Sequence, residues 1–461
     1  MTECVDGKNL LIQGGIVITM DPDRRVLQEG FVAIEGGRIA EVGSGRAGDR
    51  WSDFERVDAS EGVVLPGLVN AHAHLDQTLF RGLFDDMVAA ERWEPMVRFA
   101  ERQTRERAYA GARQSLLELT RAGVTTTTES YWVHSHPGSM NGICQAVKES
   151  RLRGVLARAL NDLPTTPSRF VETWEDVSVE IDELNERWGS DRLTVIPELI
   201  SFMRAQRDTA ARVEDFARQR DTLWACHIAT GDIQAMVNRT GKGLTYYLED
   251  LGVLKDNLLA AHCNVLYPGE PQRMADAGVR LAHAPVAQLW QGSPVADLMA
   301  ILAAGGKVGL GVDGPLTNNS QSMFETMKFC IFAQQQNYRH QLVANADLAL
   351  ELATVRSAEA LDLADEVGSL ETGKAGDVIV LDGNYPGLRP ITALLINLVY
   401  SNSDEAVQTV VIDGEIVMKD RKHTFLDENE IIRETEEAQR AMLSESGLAG
   451  ELKEKQNWVM P

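Results

Sequence analysis

Asn70-Ala-His72-Ala-His74 sets two imidazoles two residues apart, directly behind the apolar run Leu65-Pro-Gly-Leu-Val. On an extended strand, residues i and i+2 point to the same face. His72 and His74 would then project together and form half of a metal site. The plainer alternative, a pair of surface histidines, loses ground because the pair ends an apolar strand. Three more histidines end short apolar runs: His227 after Leu223-Trp-Ala-Cys, His262 after Leu258-Leu-Ala-Ala and His283 after Val279-Arg-Leu-Ala. Asp313 ends Val308-Gly-Leu-Gly-Val. Of the nine histidines, five therefore fall at expected strand tips. Imidazoles with one carboxylate suit zinc, iron, cobalt or manganese, so one divalent transition metal is expected.

The elements that must position these residues alternate in type. Between Gly67 and Asp313, about eight strand-like pieces are separated by amphipathic stretches such as Ala110–Arg121 and Ala210–Arg220. That is the arithmetic of an α/β fold built on a (β/α)8 TIM barrel, whose active sites lie at the C-terminal ends of the strands. The two ends of the chain differ from this middle. Leu10-Leu-Ile-Gln, Phe31-Val-Ala-Ile, Asp377-Val-Ile-Val-Leu and Val407-Gln-Thr-Val-Val-Ile are short and β-branched, and Asp413-Gly414 marks a hairpin turn. The expectation is a small β-sandwich formed by both termini, residues 1–65 and 368–425, around a metal-binding barrel at 66–367, with a helical extension at 426–461.

Composition bounds the partners. Lys and Arg number 45 against 68 Asp and Glu, a net charge of −23. Nucleic acid and anionic membrane surfaces need clustered basic residues, so neither is expected. The polar, acidic first residues do not read as a secretory signal, and no apolar run is long enough to span a bilayer. Five scattered cysteines with no C-x-x-C pair suggest a reduced, cytoplasmic setting. A small-molecule substrate is the remaining class.

Several motifs in order resemble the amidohydrolase superfamily. They are Gly36-Gly-Arg-Ile, Leu65-Pro-Gly-Leu-Val-Asn-Ala-His-Ala-His, Gly123-Val-Thr-Thr-Thr, Gly311-Val-Asp-Gly-Pro-Leu-Thr-Asn-Asn and Gly368-Ser-Leu-Glu-Thr-Gly-Lys-Ala-Gly-Asp-Val. The resemblance spans nearly the whole chain and is most specific to the mononuclear branch of deaminases and triazine hydrolases. It implies that His72, His74, His227 and Asp313 hold the metal, that His262 hydrogen-bonds the water on it, and that Asp313 is the proton acceptor. It also implies a homo-oligomer, dimer or tetramer. Two positions depart from the branch: Thr230 stands where a Glu follows the third histidine, and Gln288 where an Asn is usual. A threonine hydroxyl cannot serve as the acid that protonates a ring nitrogen. The expectation is therefore hydrolysis of a urea, carbamate, thiocarbamate or amide, as in phenylurea or molinate hydrolases. The alternatives are deamination of a triazine, pterin or purine, and a non-catalytic scaffold.

Other residues carry blander expectations. His134 and His136 read as a loop pair at the rim, with His136 a candidate substrate contact. His283 reads as a pocket wall or hydrogen-bonded neighbour, and Glu129 as a group that could orient a ligand. Glu198 could bridge two metals in place of a lysine. Cys226 should face the helices, and Cys263 follows its strand tip without a clear direction. Trp93, with Phe80, Met96, Trp132 and Trp290, is expected in rim loops as apolar wall.

Overall fold

The computed structural model describes residues 9–85, 87–132, 134, 136, 138–163, 167–202, 204–228, 237–238 and 241–455. Strands β1 (Leu10–Ile18), β2 (Val26–Glu35), β3 (Arg38–Ser44), β4 (Glu55–Asp58) and β5 (Val63–Pro66) precede the barrel. Strands β14 (Val378–Leu381), β15 (Val407–Ile412), β16 (Glu415–Lys419) and β17 (Lys422–His423) follow it. All nine share one sheet, ordered β17-β16-β15-β14-β5-β1-β2-β3 with β4 on β1. The two ends of the chain meet where β5 runs antiparallel to β14, pairing Leu65 with Ile379. Leu10, Ile12, Val32, Val64, Val378 and Val411 share one hydrophobic cluster, so both termini contribute to one core. Asp413 and Gly414 both have positive φ, 46° and 73°, as a tight hairpin turn between β15 and β16 requires.

The middle of the chain is the expected barrel. Its strands are β6 (Leu68–Asn70), β7 (Val124–Tyr131), β8 (Arg153–Leu160), β9 (Leu193–Leu199), β10 (Trp224–Ile228), β11 (Leu258–His262), β12 (Arg280–His283) and β13 (Lys307–Leu310). They pair in parallel in chain order, from β6 to β13. The ends of that ladder meet through Ala71 N–H donating to Leu310 O at 2.7 Å and Asp313 N–H to His72 O at 3.0 Å. Alternation sorts the side chains. Val69, Ala71, Val155, Ala157, Ile196, Ala225, Leu259 and Ala282 fill the interior, while Trp224, Cys226, Leu258 and Leu281 pack outward in the cluster shared with the helices. Both faces are buried, which explains the nearly continuous apolar runs.

Two strands are shorter than their sequences suggest. β6 ends at Asn70 and β13 at Leu310, so His72, His74 and Asp313 lie just beyond the strands. The helix Glu428–Ser446 of the C-terminal extension packs on the barrel. Thr435 Oγ1 donates to Ala110 O at 3.0 Å, and Ile431 and Met442 are buried where the helix lies on Arg105–Arg121. No helix among the described residues is long and apolar enough to cross a membrane.

Candidate metal centre

His72 and His74 leave the end of β6 on the same side, 5% and 6% exposed. His74 Nδ1 donates to Ser130 O at 2.6 Å, which turns its Nε2 toward the barrel axis. His227 lies on the interior face of β10, between the outward-facing Cys226 and Ile228. Its Nδ1 lies 3.1 Å from Glu198 Oε1, so Nε2 again faces inward, 3.4 Å from His74 Nε2. Asp313 Oδ1 lies 3.5 Å from His72 Nε2 and 3.3 Å from His74 Nε2. Ligands held about 2.0–2.1 Å from an ion at tetrahedral corners are about 3.3–3.4 Å apart. The measured separations, 3.3, 3.4 and 3.5 Å, match that requirement. His72 Nε2 is buried with no hydrogen-bond partner, as a lone pair directed at an ion would be. The residues present therefore fit one divalent transition metal.

Electrostatics tie these four groups to one another. Burial pulls His72 down to about 4, which leaves its imidazole neutral and able to ligate. Burial also acts against charge on His74, but the Asp313 carboxylate outweighs it and pushes that histidine up to about 9. Burial would likewise neutralise Asp313, yet the imidazoles of His72 and His74 close beside it and the charge of His262 hold the carboxyl well below the usual range. Asp313 is ionised, and its second oxygen accepts from Thr317 Oγ1 at 3.2 Å.

His262 completes a second cluster with His72 and His227. Asn264 Nδ2 donates to Gln288 Oε1 at 2.5 Å, and Gln288 Nε2 lies 2.8 Å from His262 Nδ1. An amide N–H can only donate, so Nδ1 accepts and the neutral ring carries its proton on Nε2. Gln288, a departure in sequence, thus fixes the tautomer of His262.

The backbone here is unusual. His262, Cys263 and Asp313 have φ of 73°, 51° and 62°, a left-handed conformation that non-glycine residues adopt at a cost of about 1–3 kcal/mol each. Gly311 and Gly314 flank Asp313 because a side chain would not fit: a Cβ on Gly311 would come within 2.6 Å of the His72 Cβ, and one on Gly314 within 2.8 Å of the His74 Cβ.

Other expected site residues fall elsewhere. His283 is fully buried with neither ring nitrogen partnered, and is not in the ligand clusters. Glu129 Oε2 accepts from Leu75 N–H at 2.5 Å, so it holds the turn that follows His74. Glu198 touches His227 and accepts from Ser130 Oγ at 2.7 Å. His134 is tied to Tyr131 O at 2.6 Å, and His136 is exposed. Phe80 and Met96 belong to the core and not to a rim loop: Phe80 lies in the turn Leu75–Phe80, which is buried throughout, and Met96 on the helix Ala89–Ala100. Trp93 stacks on Trp132 with ring centres 6.2 Å apart. Thr230 lies outside the described residues. Sequence reasoning missed Asn264 and the closing role of Asn70, whose side chain accepts from Val312 N–H at 3.0 Å and donates to Thr127 Oγ1 at 3.0 Å. Asn70 lies within the His-x-His motif, which was the available signal.

Comparison with known proteins agrees with this arrangement. The chain is 32% identical over 443 residues to the 5'-deoxyadenosine deaminase of Methanosarcina mazei, covering 93% of this chain and 97% of that protein. It is 29% identical over 436 residues to the 5-methylthioadenosine/S-adenosylhomocysteine deaminase of Desulforamulus reducens, covering 93% and 98%. An adenosine deaminase from Xanthomonas campestris solved with bound zinc superposes with a TM-score of 0.88 at 24% identity, covering 95% of this chain and 99% of that one. A variant of the atrazine chlorohydrolase from Arthrobacter aurescens, complexed with zinc and atraton, gives a TM-score of 0.88 at 22% identity, covering 93% and 100%. At these identities the two structures speak for the fold alone. The amidohydrolase family model matches residues 63–417, most of the chain, and the chain belongs to that family.

Proposed function

We propose that the chain is a metal-dependent aminohydrolase that replaces the exocyclic amino group of an aminoheterocycle, of the adenine nucleoside type, by oxygen and releases ammonia. The observation that carries this reading is the set of His72, His74, His227 and Asp313 donors at tetrahedral spacing, with the His262 proton fixed beside them. The named deaminase relatives supply the substrate class. They favour a heteroaryl amine over the phenylurea or thiocarbamate that Thr230 and Gln288 suggest in sequence.

When bound, a divalent metal supplies Lewis acidity that makes water a nucleophile near neutral pH. Asp313, ionised and held by Thr317, accepts the proton of the attacking water. His262 donates from Nε2 to the oxygen as it adds to the ring carbon. Asp313 then returns its proton to the departing amine, which leaves as ammonia. The C=N electron pair that moves onto the ring nitrogen as the oxygen adds returns to carbon as the amine leaves, so the protons balance without an acid at position 230.

The test is ammonia release by the zinc-loaded protein from 5'-deoxyadenosine, 5-methylthioadenosine, adenosine and aminotriazines, beside phenylurea and thiocarbamate substrates. Release from at least one aminoheterocycle, with the ureas inert, is expected. Turnover of ureas or thiocarbamates alone would reject this reading and restore the one based on Thr230.

A further inference from the structure

Five arginines among the described residues are no more than 8% exposed: Arg92, Arg113, Arg153, Arg158 and Arg280. Four have a carboxylate in reach. Arg113 meets Glu434 at 2.7 Å, Arg153 meets Asp413 at 2.9 Å, and Arg280 meets Asp362 at 2.8 Å. Arg158 is held between Glu172 at 2.5 Å and Glu180 at 2.6 Å. Arg92 has no ion pair among the described residues. Its one side-chain hydrogen bond among the described residues is a 3.3 Å contact to Gln291 Oε1, and its guanidinium carbon lies 5.3 Å from the Trp290 ring centre. A guanidinium removed from water is unfavourable unless an anion meets it. Four of the five obey that rule within the fold, and for the fifth no carboxylate among the described residues does so.

The exception sits at the metal end of the barrel. Arg92 is on the helix Ala89–Ala100, beyond His74. Gln291 caps the short helix Pro285–Trp290 that carries Gln288, the partner of His262. Arg92 is thus wedged between the segments that follow the first and seventh barrel strands. Burial opposes its charge, and the Asp313 carboxylate is the anion whose field supports it. A divalent cation held by Asp313 would offset that field. Arg204, in the loop after β9, adds a second cation without a carboxylate partner among the described residues. Its guanidinium carbon lies 3.9 Å from the ring centre of Trp93, the neighbour of Arg92.

We propose that Arg92 is a substrate-binding residue that receives a carboxylate carried on the arm of the substrate remote from the reacting carbon. The planar guanidinium fork matches a carboxylate in two parallel hydrogen bonds, which a neutral amide cannot reproduce. This rests on the aminoheterocycle reading for the rest of the ligand.

The test is titration calorimetry of the zinc-loaded protein with two adenine nucleosides, one whose 5' arm ends in a carboxylate and one in the matching carboxamide. The carboxylate should bind at least tenfold tighter to the wild type. Arg92→Met should lose that preference and Arg92→Lys keep part of it. Equal affinities in the wild type, or a preference that survives Arg92→Met, would overturn the proposal. The wild-type comparison decides it should the variants fail to fold. The two readings fail separately: ammonia release from neutral nucleosides with no carboxylate preference sinks the Arg92 site alone. A carboxylate preference in binding without any ammonia release sinks the deaminase reading alone. Binding of neither nucleoside overturns both.

Discussion

Where the helix Glu428–Ser446 lies against Arg105–Arg121, charge is neutralised within the fold. Arg113 reaches Glu434 at 2.7 Å, Arg107 reaches Glu445 at 2.5 Å, and Arg121 reaches Glu428 at 3.1 Å. At the C-terminal end of the barrel the opposite holds. Three imidazoles and a carboxylate converge with lone pairs toward one another, His72 Nε2 has no partner, and three non-glycine residues are left-handed. The first arrangement gains nothing from a ligand, whereas the second is satisfied only by one. Arg113 is as buried as the metal donors, so burial of charge alone does not mark a site. The distinction lies in whether the fold supplies the counter-charge.

The largest effect expected from breaking this contrast is at the centre itself. Removal of metal by a chelator should abolish turnover, and zinc or cobalt should restore it. Asp313→Asn should lower kcat on the order of 10³-fold or more, since it removes both a ligand and the proton acceptor. Circular dichroism should show the fold retained. A rate within a few-fold of wild type would contradict the role given to Asp313. Next comes the support behind the ligands. Glu198→Gln removes the charge beside His227 Nδ1 and should weaken zinc binding by about 10–100-fold, read by competition with a chromogenic chelator. Unchanged zinc affinity would make Glu198 a packing residue.

The parts legible in sequence share a physical cause. His72, His74, His227, His262 and Asp313 stand out because apolar runs that can only be strands end at them, and a barrel gathers strand ends. The terminal sheet was legible for a similar reason, in β-branched runs and the Asp413-Gly414 turn. What stayed hidden depends on contacts across the fold. Nothing local announces that Gln288 would hold the His262 ring through Asn264, or that the chain turns left-handed at His262 and Asp313. Phe80 and Met96 were expected in rim loops because neither the buried turn Leu75–Phe80 nor the helix Ala89–Ala100 is announced by composition. Arg92 carries no sequence signal at all, since only comparison with the other buried arginines shows that it lacks an ion pair among the described residues.

On the docked flank the same operation should change stability and not catalysis. Arg113→Met leaves Glu434 without its partner and should destabilise the fold by about 1–3 kcal/mol, read from urea unfolding. kcat/KM should stay within a factor of two. A larger loss of activity than of stability would link this helix pair to the site and erase the contrast.

The smallest effect concerns His423 on β17, far from the metal centre in the chain. Its Nδ1 accepts from the backbone N–H groups of Phe425 and Leu426, each at 3.2 Å. Burial pulls this histidine from its usual 6.5 down to about 4. The folded state thus resists a proton that the unfolded chain takes up below about pH 6.5. The unfolded state binds more protons in that window, so stability present at pH 7 is lost as the pH falls from 6.5 toward 4. Because the ring is only partly enclosed, the loss should be about 1 kcal/mol at pH 5. His423→Asn keeps a side-chain oxygen to accept from the same N–H groups but cannot titrate. Urea midpoints at pH 7 and pH 5 should therefore diverge, the wild type losing about 1 kcal/mol more than the variant. Parallel losses would show that the terminal sheet, unlike the metal end of the barrel, gains nothing from keeping its imidazole neutral.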